Sequence, residues 1–113
     1  MKLSKRSYDH ARELVRSGHA VRDERDDWSE HQPSAREENR YIDEHGYGEY
    51  GKWHLAIDES APTDTKRRYK YPYGDFRDVH RCAVLSAESR AGQRRHEDVK
   101  AAAAHLHGML DAS

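Results

Sequence analysis

Between Trp53 and Asp58 the chain alternates. Trp53, Leu55 and Ile57 are separated by His54 and Ala56, which is the period of a half-buried strand. Tyr69, Tyr71 and Tyr73 alternate with Arg68, Lys70 and Pro72 in the same way. The polar stretch 59–65, with Pro62 inside it, lets the two runs pair as an antiparallel hairpin. Pro72 then belongs on an edge or at a strand end, because it cannot donate to a ladder.

Elsewhere the spacing is helical. Ser4 or Ser7 caps a first helix reaching Ser17, with Tyr8, Ala11, Leu14 and Val15 on one face and Gly18 as the stop. Residues 19–32 keep no period and read as a solvated acidic loop anchored by Trp28. Ser34 and Glu37 form a capping box that opens a second helix, and Gly46 closes it. Its stripe of Ala35, Tyr41 and Ile42 is thin, which predicts a surface position. Asp75 or Asp78 caps a third helix carrying Val79, Ala83, Ser86, Ala87 and Ala91 as far as Gly92. A fourth, about 97–111, places Val99, Ala102, Ala103, Leu106 and Leu110 on a single stripe. The alanine-rich faces of these last two helices permit close antiparallel packing. The expected fold is α+β: a two-stranded antiparallel hairpin packed with about four helices, the last two forming an antiparallel helical hairpin. It is expected as one small domain over 1–113, with a helical and acidic part at 1–49, the β-hairpin at 50–76 and the helical hairpin at 77–113.

Composition changes that picture in one respect. Leu, Ile, Val and Phe number 14 of 113 residues, so the core is thin and leans on seven Tyr and two Trp. A partner or self-association is expected to add stability. Cys82 is the only cysteine, which removes any intrachain disulfide and any cysteine-based zinc cluster. No apolar leader and no window of 18 apolar residues occurs, so a soluble cytoplasmic protein without a membrane partner is expected.

The net charge of −1 conceals a dipolar chain. Residues 22–49 carry ten acidic against four basic side chains, a net −6. Residues 66–100 carry ten basic against five acidic, a net +5. Either these lobes neutralise each other within the fold, or the basic lobe faces an anionic partner. In the second case the tyrosines turn inward and the cations outward. Lys66, Arg67, Arg68 and Lys70 join Arg77 and Arg81, then Arg90 and Arg94, as candidate binding residues. Each of the last two pairs is spaced four apart to share a helical face. Such a surface suits phosphate backbone or an acidic protein. Exposed tyrosines would instead stack on unpaired bases.

Catalytic and cofactor signals are weak. Gly46–Gly51 spells G-x-G-x-x-G, but a helix precedes it and a strand follows, the reverse of the dinucleotide-binding order. His105 and His107, like His80 and Cys82, are two apart and diverge on a helix, and no H-E-x-x-H pattern occurs. No metal, cofactor, catalytic residue or small-molecule substrate is therefore assigned. Cys82 reads as a small buried core residue in mid-helix. A thiol-dependent enzyme using Cys82 with His80 is the third reading, after an interaction module and a nucleic-acid-binding protein.

Two motif sets carry a resemblance. The Tyr69-x-Tyr71-Pro72-Tyr73-Gly74-Asp75-Phe76 run, Val79-His80-Arg81, Ser89-Arg90-Ala91-Gly92-Gln93 and Ala102-Ala103 with Leu106 look like a family of small uncharacterised bacterial proteins. That likeness extends to Asp27-Trp28-Ser29-Glu30 and Trp53-His54-Leu55. Residues 66–110 are also similar to segments of head-associated proteins of tailed phages and prophages. The resemblance implies a small non-enzymatic accessory protein.

Overall fold

The computed structural model describes residues 1–112, and their architecture is α+β. In chain order the elements are β1 (Lys2–Leu3), α1 (Lys5–Arg16), β2 (Ala20–Val21), α2 (Trp28–His31), α3 (Ala35–Gly51) and β3 (His54–Ile57). A 3-10 turn at Lys66–Arg68 follows, then β4 (Tyr69–Pro72), β5 (Val79–His80), α4 (Arg81–Gln93) and α5 (Glu97–Ala112).

β3 and β4 pair antiparallel, with His54 opposite Pro72, Ala56 opposite Lys70 and Ile57 opposite Tyr69. The sheet has a third strand that alternation could not reveal. β1 adds antiparallel to the other side of β3, giving the order β1-β3-β4 and leaving β4 at an edge. A second, two-stranded sheet joins β2 to β5 in parallel, Ala20 opposite Val79 and Val21 opposite His80. This pairing carries the acidic segment onto the start of α4.

Local chemistry explains most helix ends. Ser4 caps α1 by accepting the Ser7 N–H, and Gly18 follows the helix with φ 86°. Both arms of the capping box at the start of α3 are formed, between Ser34 and Glu37. Gly46, at φ 85°, breaks α3, but a further helical turn continues to Gly51. Gly48 and Gly51 are therefore helical residues. The third predicted helix starts later than Asp75 or Asp78. Asp75 does cap, but it caps a turn: its Oδ1 accepts the N–H groups of Arg77 (3.1 Å) and Asp78 (2.8 Å). Only at Arg81 does the helix begin, with His80 as its N-cap. Arg77 consequently lies in a loop and not on a helical face shared with Arg81.

α4 and α5 run antiparallel along each other. Arg81 meets Asp111 near one end, Glu88 meets His107, and Gly92 faces Lys100 near the other. Leu55, Leu85, Leu106 and Leu110 are fully buried, each contributing about 1.5–3 kcal/mol of burial free energy. Tyr71, on β4, and Tyr73, just past it, complete this core. Tyrosine–histidine contacts close its seams. The Tyr73 hydroxyl donates to the Lys52 carbonyl (2.7 Å) and accepts from His10 Nδ1 (2.7 Å). The Tyr71 hydroxyl lies 2.7 Å from His96 Nδ1, and the Tyr8 hydroxyl meets His105 Nδ1.

Candidate functional site

The cationic segment rests on a firm base. Tyr71 and Tyr73 point into the core and Tyr69 is half-buried, its ring against Gly51 and its hydroxyl on the Thr63 carbonyl. Of the eight candidate binding residues, three are held internally. Lys66 pairs with Glu38 (3.3 Å), Arg68 donates to the Ala61 carbonyl (2.9 Å), and Arg81 binds both Asp111 (2.7 Å) and the Asp23 carbonyl (3.2 Å). Arg67, Lys70, Arg77, Arg90 and Arg94 make no side-chain hydrogen bond or ion pair among the described residues. They do not form one stripe. Arg90 lies about 13 Å along α4 from Arg81, at 1.5 Å per residue. It lines an open cleft of about 330 Å³ with Arg25, Trp28, Gln32, Cys82 and Ser89.

The least expected arrangement is at the junction of β5 and α4. Asp23, read as part of a solvated loop, has a side chain only 8% exposed. Its Oδ1 accepts the Cys82 N–H (2.7 Å), and its Oδ2 lies 2.7 Å from His80 Nδ1. On the other side of the ring, His80 Nε2 lies 2.9 Å from Asp75 Oδ2. His31, on α2, stacks on the His80 ring at 5.4 Å between centroids, with its Nε2 3.9 Å from Asp23 Oδ2. Trp28 covers the His80 ring from 5.7 Å. The ligand atoms of Asp23, His80 and Cys82 all fall within 4.8 Å of one another.

Two sequence expectations change here. His80 and Cys82 do not diverge as helical neighbours, because His80 ends a strand and Cys82 sits in the first turn of the helix that follows. Cys82 is buried as expected, but it is not in mid-helix. The signal for the cluster was long-range. Asp23 reaches His80 only because β2 pairs with β5, across 57 residues.

The electrostatics follow from these contacts. Burial alone would lower the His80 pKa, but the two carboxylates outweigh it and raise that pKa above the ordinary imidazole value. Burial would raise the Asp23 carboxyl, and its bonds from His80 and Cys82 reverse this, leaving it below the usual range. Burial and the adjoining Asp23 carboxylate together push the Cys82 thiol up to about 12. In this state both His80 nitrogens face carboxylates and the thiol stays protonated, so neither activates the other.

No helix among the described residues is long and apolar enough to cross a membrane. In comparisons with known proteins, no family model, no curated protein and no solved structure matches this chain.

Proposed function

We propose that this protein is a non-catalytic interaction module that docks an anionic partner on the segment 66–77. One observation carries the reading: among the described residues Arg67, Lys70 and Arg77 make no side-chain hydrogen bond or ion pair, while Tyr71 and Tyr73 anchor the segment between them in the core. Lys70 on the edge strand β4, Arg67 in the 3-10 turn before it and Arg77 in the loop after it offer an electrostatic surface on a backbone already ordered by the fold. The likeness of residues 66–110 to head-associated phage segments fits an accessory role of this kind. The protonated Cys82 thiol and the doubly engaged His80 argue against a thiol-dependent reaction.

A second reading, nucleic acid as that partner, is favoured by the same three cations and takes a definite form. Tyr71 and Tyr73 are turned inward and the Tyr69 ring packs on Gly51, leaving no stacking platform for unpaired bases, so contact would be with duplex phosphates. Fluorescence anisotropy against duplex DNA and against an acidic polypeptide, at low salt, tests both readings. Binding to either, with log affinity falling linearly against log salt and at least tenfold loss in the R67E/K70E/R77E triple variant, supports the module. Binding to neither, or binding indifferent to the triple variant, refutes it.

A further inference from the structure

We infer that Asp23, His31, His80 and Cys82 form a zinc site that fastens the acidic segment to the start of α4. The donor set is one thiol, two imidazoles and one carboxylate, a combination suited to a borderline-soft divalent ion without a geometric preference of its own. The distances are those of a site closed by hydrogen bonds where a metal would sit. Zinc bonds of about 2.0–2.3 Å in a tetrahedron separate neighbouring ligand atoms by roughly 3.3–3.7 Å. Here Asp23 Oδ2 stands 2.7 Å from His80 Nδ1 and 3.9 Å from His31 Nε2, and the Asp23, His80 and Cys82 donors lie within 4.8 Å of one another. Small shifts bring Asp23, His80 and Cys82 to bonding distance, and His31, 3.9 Å from Asp23 Oδ2 at the exposed edge of the cluster, swings in as the fourth ligand.

Three further features fit a ligand set better than a chance polar knot. Both imidazoles approach the same carboxylate oxygen, Oδ2, while Oδ1 is held by the Cys82 N–H. The far nitrogen of His80 meets Asp75 Oδ2, and Asp75 is in turn fixed by two backbone N–H groups. A carboxylate behind a histidine is the usual device for orienting a metal-bound imidazole. Trp28 packs its ring against His80 at 5.7 Å, which holds the imidazole in place. Binding releases the Cys82 thiol proton and the His80 Nδ1 proton, and His80 keeps Nε2–H for Asp75. Four protein ligands leave no open position, so the ion is structural, in keeping with a non-catalytic protein. It would reinforce a fold whose aliphatic core is thin.

The untagged full chain, stripped with chelator, is titrated with zinc chloride by calorimetry and separately with cobalt(II) in the near ultraviolet and visible. One equivalent of zinc, a rise in melting temperature and a thiolate-to-cobalt charge-transfer band are expected. The band should vanish in Cys82→Ser, which keeps the backbone N–H on Asp23. Asp75→Asn should keep the band and weaken zinc by about 10–100-fold. His31→Ala should also keep it, with weaker binding. A wild-type cobalt complex without the thiolate band, zinc binding unchanged in Cys82→Ser, or no one-to-one binding would each overturn the inference. The cobalt band on wild-type protein decides the matter even if a variant fails to fold.

Discussion

His54 is the group whose protonation should most clearly set the acid limit of this fold. It lies on β3 with its side chain buried, between the rings of Tyr50 and Tyr69, and Nδ1–H donates to the Tyr50 carbonyl at 3.0 Å. Among the described residues, no carboxylate bonds to it. Burial therefore pushes its pKa down to about 4 from 6.5, only partly opposed by the backbone bond. The sign follows from linkage. The unfolded chain takes up the proton first, so the neutral ring's contribution is intact above about pH 6.5 and is lost as pH falls toward 4. Working through the two pKa values gives a loss of about 2 kcal/mol at pH 5 and about 3 kcal/mol at pH 4. The assay is urea unfolding of wild type and His54→Asn at one-unit steps from pH 7 to 4. The asparagine amide can donate to the same carbonyl but does not titrate. Packing loss makes the variant less stable at neutral pH, and the gap should narrow by about 3 kcal/mol on reaching pH 4. Acidic groups common to both proteins cancel in the difference. A gap that stays constant across the range would refute the reasoning.

Glycine positions offer a paired contrast. A Cβ at Gly74 would lie 2.4 Å from the Asp78 carbonyl oxygen and 2.8 Å from the Trp53 ring, so Gly74→Ala should cost about 1–3 kcal/mol in urea unfolding. Gly48→Ala meets nothing within 4 Å in a helical turn and should be neutral or stabilising by up to about 1 kcal/mol. Leu106→Ala, at a fully buried position between the helices and the sheet, should cost about 2–5 kcal/mol and lower the urea midpoint without changing the slope. Ser34→Ala removes the Oγ that accepts the Glu37 N–H and should cost about 1 kcal/mol, read as a lower melting temperature.

What the sequence made legible were features that neighbours in the chain decide. The Ser34–Glu37 box, the Gly18 stop and the strands within 53–57 and 69–73 all act over a few residues, and each appears in the fold. The half-buried pattern expected of the first strand does not, because β3 is central and buries His54 and Ala56 as well as Leu55. Asp75 shows where local signals mislead. The side-chain bond that caps a helix is the same bond that closes a turn, and only the later course of the chain separates them. Strands of two residues, such as β1, β2 and β5, have no period to detect. The metal-ligating candidates depend on β2 meeting β5, so their proximity had no trace in spacing. The basic surplus was visible as a count, but which cations lose their freedom to Glu38, Ala61 and Asp111 was a matter of three-dimensional contact.

The tyrosine hydroxyls set against histidines carry a consequence for observing this protein in motion. Tyr8 sits where α1 crosses α5, Tyr73 where the residue after β4 meets α1, and Tyr71 where β4 meets the α4–α5 turn. Each joint thus owns a built-in reporter, a tyrosine ring whose resonances respond to the loss of its own imidazole. Loosening of a single joint can be followed separately from global melting, with no label introduced into the chain.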